Sequence, residues 1–476
     1  MNSPFNELKY KELLKGLEIS EVLLSGLDKI QNRFDAEFYS KKNLCLEHVI
    51  KKSGYTTLSL LHCEIDCSAF YPGITQYYNY ERIGIPFIRV NEIQDGFVRL
   101  TDSTAFLPEN VIIDNSKTIA LAYPDDIVIA KGGNTLAKVG ILTNEYPKYA
   151  ICRDVLLVRT KNLNFNQKYN IWAFLNSSFG YRMMIKTASQ TGQPHLTVPN
   201  IAELKIPKWI ENDTRFSDCY ISATQLSQKS KVLYSQAEDL LLSELGLKDW
   251  QPNNNPVNIK QLKESFLESG RLDAEYYQSK YDALFAQLSK YKCDPIKDIV
   301  HIKKSVEPGS EAYQDEGIPF VRVSDVTKFG ISAPSIFLSP KDFDLQELHP
   351  KKDTILLSKD GSIGIAYKVE KDLDCITSGA LLHLSVFNED YNPDYLTLVL
   401  NSIVVQMQAE RDSNGAIIQH WKPSEIEQVI IPKLSKSIQD SISAKIQKSF
   451  ALKAKSKRLL DEAKKMVEKE IEEGGE

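Results

Sequence analysis

The feature that most limits what this chain can fold into is that it says nearly everything twice. RFDAEFY at residues 33–39 returns as RLDAEYY at 271–277, 238 residues later. GIPFIRV (84–90) returns as GIPFVRV (317–323), and DIVIAKGGN (126–134) as TILLSKDGS (354–362). FLNSS (174–178) is echoed by VLNSI (399–403), His195 by His420, and IPK (206–208) by IPK (431–433). Leu233 and Ala237 pair with Leu459 and Ala463. The offset shrinks from 238 to 233, 228 and about 225, as expected when one copy carries a few extra loop residues. Repeat arrays have periods of about 20–50 residues. A period this long means a duplicated domain.

Each copy has the same internal order. A lead-in such as KQLKESFLESGRLDAEYYQSKYDALFAQLSK (260–290) reads as helix from its Leu, Glu and Lys content. RFDAEFY is accordingly expected to be amphipathic helix, with Phe34, Phe38 and Tyr39 packed and Arg33, Asp35 and Glu37 solvated or paired. A β-rich middle follows, with IPFIRV, DIVIA and DVLLVRT as short β-branched runs bounded by turn residues. A long helical segment closes each copy. In the first, Leu226, Leu233, Ala237 and Leu240 make a heptad seam that breaks at Glu244 and returns at Leu247, with Leu241 and Leu245 as a neighbouring stripe. In the second, Ile438, Ile442, Leu452, Leu459, Ala463 and Met466 form a looser version. Such helices either pack on their own domains or pair as a spacer, and their length favours pairing. The fold expected is α+β: two tandem β-rich domains with long helices forming an antiparallel coiled coil. The boundaries fall at 1–210, 211–250 (central helix), 251–433 and 434–476 (C-terminal helix). LKDWQPNNNPVN (247–258) separates the copies.

Signals for chemistry are weak. NPDY (392–395) resembles the Asn-Pro-Pro-Tyr signature of amino-methyltransferases, but lacks the second proline and any preceding glycine-rich cofactor turn. It reads as a turn into the helix YLTLVLNSI, with Asp394 near its N-terminus. Pro124-Asp125 is not followed by the acidic-x-Lys element of a metal-dependent nuclease. No GxxxxGK[ST] is present. Seven scattered cysteines, without a second pair near Cys63 and Cys67, read as reduced thiols of a cytoplasmic protein. No apolar run of membrane-spanning length appears. No catalytic residue, metal or cofactor is expected.

What remains is a set of matched loop residues. Lys131 and Lys359 each follow an apolar strand and precede a turn, in which Asn134 and Ser362 correspond. Arg89 and Arg322 each end a strand after Ile-Pro-Phe. Gln193 with His195, and Gln419 with His420, precede the closing strand. Such groups suit phosphate oxygens and base edges, the plain alternative being solvated loop polarity. Between matched blocks the copies differ freely: SAFYPGITQYYNYER (68–82) stands opposite SVEPGSEAYQDE (305–316). One scaffold with two sets of loops suits two different ligands.

This ordered duplication, through both copies of RFDAEFY/RLDAEYY, GIPFIRV/GIPFVRV, the AKGGN-like turn, IPK and a long helix, resembles the specificity subunit of type I restriction-modification systems. The resemblance covers nearly the whole chain. It implies a non-enzymatic subunit of a phage-defence complex whose two target recognition domains each read half of a bipartite double-stranded DNA sequence. It also implies docking of two methyltransferase subunits, which supply S-adenosylmethionine chemistry, and of restriction subunits. Two departures stand out: a longer lead-in over 1–30 with a helix of its own, and Asp360-Gly361 where the first copy has Gly132-Gly133. The net charge of −5 fits a subunit that binds DNA only alongside partners. The rival readings are a DNA-binding module of another methylation or phage-defence assembly, and a scaffold that binds protein only.

Overall fold

The computed structural model describes residues 6–27, 33–69, 73–101, 103–188, 193–252, 255–413 and 419–473. Parts of the lead-in, of the 68–82 loop and of the 247–258 boundary therefore lie outside the described residues. The chain divides into two compact units: residues 1–225 with 455–476, and residues 226–454.

Among the described residues, the first unit holds a six-stranded sheet ordered Glu64–Cys67, Val155–Arg159, Ile127–Ala130, Val139–Ile141, Phe97–Val98, Ile93–Gln94. A four-stranded sheet runs Phe106–Leu107, Ile85–Ile88, Tyr149–Ile151, Leu121–Ala122. Strands Tyr55–Thr57 and Lys205–Pro207 pair antiparallel. The second unit repeats the scheme. Val300–Lys304, Leu381–Val386, Ile355–Ser358 and Ala366–Lys368 form one sheet, and Phe337–Leu338, Ile318–Val321 and Ile376–Thr377 another. Cys293–Pro295 pairs with Ile430–Pro432. Registers match as well: the one parallel pairing inside each GIPF sheet joins Phe87 to Ala150 in the first unit and Phe320 to Ile376 in the second.

The GIPF block shows why the repeated letters are needed. Gly84 has φ +104, and a Cβ there would lie 2.3 Å from the Leu107 carbonyl oxygen. Gly317 has φ +131, with the Leu338 oxygen 2.4 Å away. Only glycine tolerates both the left-handed backbone and the close approach. Phe87 and Phe320 then point into the cores, each about 1% exposed.

RFDAEFY and RLDAEYY are turns, not helix. The Arg33 guanidinium pairs with Asp35 and donates to the Ala188 carbonyl at 2.9 Å, just past the helix Ser178–Thr187. Arg271 pairs with Asp273 and donates to the Asp412 carbonyl at 3.1 Å, at the end of Ile403–Asp412. Tyr39 and Tyr277 donate to the carbonyls of Arg33 and Arg271. A helix C-terminus leaves carbonyls without intrahelical partners, and the arginine satisfies one. Local helix propensity yields to this long-range bond. Phe38 is buried, but Phe34 is 75% exposed and so does not pack as expected. Beside this turn Glu47, on helix Lys41–Lys52, is surrounded by the ammonium groups of Lys186, Lys205 and Lys51. The Lys186 side chain is 2% exposed.

The long helices run Arg215–Glu244 and Lys436–Glu473. Their buried residues follow steps of four and three, but one face away from the expected seam. On the first helix the row is Phe216, Tyr220, Ala223, Ser230, Tyr234, Ala237 and Leu241. On the second it is Ile442, Ile446, Ser449, Ser456, Leu460, Ala463 and Val467. Of the expected positions, Ala237, Ile442 and Ala463 lie in the rows; Leu226, Leu233, Leu240, Ile438, Leu452, Leu459 and Met466 are half-buried beside them. Leu247 is buried but lies beyond the helix end. Serine hydroxyls explain the difference. Within the second unit Ser230 donates to the Ser449 carbonyl at 2.8 Å and Ser449 returns a bond to the Ser230 carbonyl at 2.7 Å. Within the first, Ser456 donates to the Ala223 carbonyl at 2.7 Å. Small residues let the backbones approach closely, and larger leucines are moved to the flanks.

Candidate nucleic-acid interface

The structure brings the matched lysine, histidine and glutamine segments together in each copy. Strand Ile127–Ala130 ends at Lys131, whose N–H donates to the Asp154 carbonyl and whose carbonyl accepts from Leu196 N–H, both at 2.9 Å. Gly132 then forms an isolated antiparallel bridge with His195. Here glycine matters for a second reason: a Cβ on Gly132 would lie 2.3 Å from His195 Nδ1. Asn134 sits in the one-turn helix Gly133–Thr135 and is exposed, as are Gln193 and His195.

The second copy repeats the backbone. Strand Ile355–Ser358 ends at Lys359, whose N–H donates to the Ala380 carbonyl at 2.9 Å and whose carbonyl accepts from Trp421 N–H at 2.8 Å. Gly361 N–H donates to the Gln419 carbonyl at 2.9 Å, and Asp360 bridges His420. Ser358 Oγ donates to the Ser362 carbonyl at 2.6 Å and closes the turn. The anchors below are apolar: Leu196 is fully buried and Trp421 is 1% exposed. A rigid strand end, a buried anchor and a polar rim are what a recognition loop requires.

The side chains differ. The Asp360 carboxylate pairs with the Lys359 ammonium and lies 2.8 Å from His420 Nδ1. Burial opposes its charge, but bonds from Lys359 and His420 prevail and hold it below the usual carboxylate range. The first copy has no side chain at this position, and Lys131 makes no ion pair among the described residues.

Arg89 and Arg322 sit elsewhere in each domain. The Arg89 guanidinium donates to Glu92 at 3.0 Å and to the Ser103 carbonyl at 2.6 Å, over a carboxylate that is 1% exposed. The Arg322 backbone N–H donates to Asp325 at 2.8 Å, with its Nε 3.8 Å from the same carboxylate. These arginines brace the loop after the GIPF strand, a role that strand-end placement alone did not reveal.

NPDY is internal scaffolding. Asn392 caps helix Pro393–Leu400, and Asp394, 3% exposed, takes Lys368 Nζ at 2.8 Å, Ser443 Oγ at 2.7 Å and Gln447 Nε2 at 2.8 Å. Tyr395 OH donates to the Pro432 carbonyl at 2.6 Å. A motif so enclosed has no room for a target amino group. Among the described residues no cluster of His, Cys, Asp or Glu is arranged to hold a metal, and no helix is long and apolar enough to cross a membrane.

Residues 289–464 match the family model for the type I restriction modification DNA specificity domain. No curated protein matches. Among solved structures the chain is similar to the S subunit of a type I restriction-modification system from M. genitalium, at 13% identity and a TM-score of 0.35, covering 88% of this chain and 95% of that one. It is also similar to the HsdS subunit from Thermoanaerobacter tengcongensis, at 12% identity and a TM-score of 0.26, covering 88% and 95%. The type IIG restriction endonuclease BpuSI aligns with 39% of this chain and 27% of its own, at 14% identity and a TM-score of 0.29.

Proposed function

We propose, from the match of residues 289–464 to the type I restriction modification DNA specificity domain, that this chain is the recognition subunit of a type I restriction-modification complex and reads a bipartite DNA target. The match falls on the second copy, and the duplication extends the reading to the first. The observation that carries it is the repeated turn: Lys131 with Gln193 and His195, and Lys359 with Gln419 and His420, each on the same strand end with different neighbours. Two unlike loop sets on one scaffold read two unlike half-sites. Asn134 and Ser362 belong to the same rims. The methylating and cleaving chemistry belongs to partner subunits, with two methyltransferase subunits docking on the two copies and restriction subunits joining them.

In this reading the long helices set the distance between half-sites, which groove registry places about one helical turn, roughly 34 Å, apart. Inserting one heptad into both helices adds about 10 Å at 1.5 Å per residue. The spacer of the recognised sequence should lengthen by about three base pairs while the half-site bases stay the same, and altered half-site bases would count against a ruler. The net charge of −5 fits binding alongside partners. Tight binding of random duplex by the isolated chain at physiological salt would contradict that. The decisive experiment is a genome-wide map of methylated adenines with and without the gene. A bipartite motif that vanishes on deletion supports the reading; an unchanged methylation pattern refutes it.

A further inference from the structure

The two recognition turns are built on matching backbone bonds, and the second carries a carboxylate, Asp360, where the first has Gly132. In the first copy backbone bonds join the strand-end lysine to the histidine segment, with Gly132 at the bridge. In the second the same backbone bonds recur, anchored by Trp421. Asp360 is therefore not required to build the turn. What its side chain does is engage two donors at once, Lys359 through one oxygen and His420 through the other. The Lys359 side chain is 12% exposed and that of His420 61%, so the lysine is recessed and the imidazole faces outward.

We propose that Asp360 is a positioning residue for sequence discrimination by the second domain. It pins the Lys359 ammonium and fixes the orientation of the His420 ring beside its own acceptor oxygens, whereas the Lys131 ammonium makes no ion pair among the described residues and is offered to phosphate. This rests on the DNA-recognition reading above. The physical basis is the nature of lysine. An ammonium on a flexible stem is a point charge that any phosphate satisfies, and it releases counterions when it binds. Held against a carboxylate, its charge is already cancelled and its direction is set. A fixed set of donors and acceptors can then match a base edge in the major groove. The lysine of the second turn is thus built to discriminate, and that of the first to hold on.

The test uses the full chain co-purified with the methyltransferase subunit of the proposed complex. Probes are a duplex carrying the mapped methylation motif, duplexes with single changes in either half, and a random duplex, between 50 and 200 mM salt. Asp360→Gly copies the first turn, and Asp360→Asn keeps the shape should the glycine variant fold poorly. Releasing Lys359 should steepen the dependence of log affinity on log salt by about 0.9, an added loss of about 3-fold across this range. Discrimination against changes in one half-site only should fall by at least about 5-fold. Lys131→Ala should make the slope shallower by about 0.9 and leave discrimination intact. Folded Asp360 variants with wild-type slope and wild-type discrimination, or with equal losses in both halves, overturn the proposal. If the wild-type complex itself shows no preference for the motif duplex, the recognition reading fails first.

Discussion

Replacing Glu47 with glutamine should unfasten the base of the first unit. Its carboxylate faces the ammonium groups of Lys186, Lys205 and Lys51, and Lys186 is almost wholly enclosed. Glutamine keeps the shape but removes the negative charge that the three ammonium groups face, leaving a buried ammonium beside two others. Removing one partner of a buried pair costs about 3–5 kcal/mol. That is a large part of the roughly 5–15 kcal/mol that holds a domain folded. Hydrogen exchange should report it locally: protection in helices Lys41–Lys52 and Ser178–Thr187 should fall roughly 10²- to 10³-fold, since 1.4 kcal/mol is a factor of ten. Burial pushes the Glu47 carboxyl up, but the three ammonium groups outweigh it and hold it well below the ordinary carboxylate value. A depressed folded-state value contributes stability above the unfolded value of about 4.3, and loses it as pH falls toward the folded one. Wild type and Glu47→Gln should therefore differ most at neutral pH and converge below about pH 4. Adding Lys186→Met should recover part of the loss, because a well-packed apolar pair often replaces a buried ion pair at little cost. Protection within about threefold of wild type at neutral pH, or parallel pH profiles, would refute the reasoning.

Other expectations test separate parts. Gly84→Ala and Gly317→Ala should each destabilise their own unit by more than about 1 kcal/mol in urea titrations, since backbone oxygens and positive φ leave no room for relief. Asp394→Asn should cost about 3 kcal/mol in the second unit, because Lys368 keeps only the more distant Asp353 and Glu370; an unchanged thermal midpoint would sink that assignment. Ser230→Ala should cost about 1 kcal/mol, and Ser230→Leu more, as the close approach to Ser449 cannot admit a larger side chain. A leucine variant more stable than the alanine one would show that the hydroxyl contact is incidental.

The duplicated blocks could be read because each carries a constraint of its own. GIPF needs its glycine for backbone geometry, and DIVIA and TILLS are buried strand interiors. NPDY was legible as a helix start, though not the enclosure of Asp394 by residues about 50 positions later. The lysine and histidine positions were visible as pairs; that they meet follows from a two-residue bridge with no sequence signature. Two misreadings share one cause, in that short-range pattern cannot see a distant backbone partner. RFDAEFY has helical composition, but Arg33 answers to a carbonyl at residue 188. Leucine spacing points to one face of each long helix, whereas serine, which local rules place on wet faces, lies buried because its hydroxyl finds the facing carbonyl.

The closing helix has a consequence in time. Leu460, Ala463, Val467 and Ile471 belong to the core of the first unit, together with Phe216 and Tyr220. A ribosome that has finished residue 225 must still make the 229 residues of the second unit before those side chains exist. At about 5–20 residues per second that is a wait of roughly 10–50 s. Through it the nascent first unit carries an open apolar seam, and the second, although made later, has all its parts sooner. Loss of the last twenty residues to a premature stop would thus injure the half of the protein translated first.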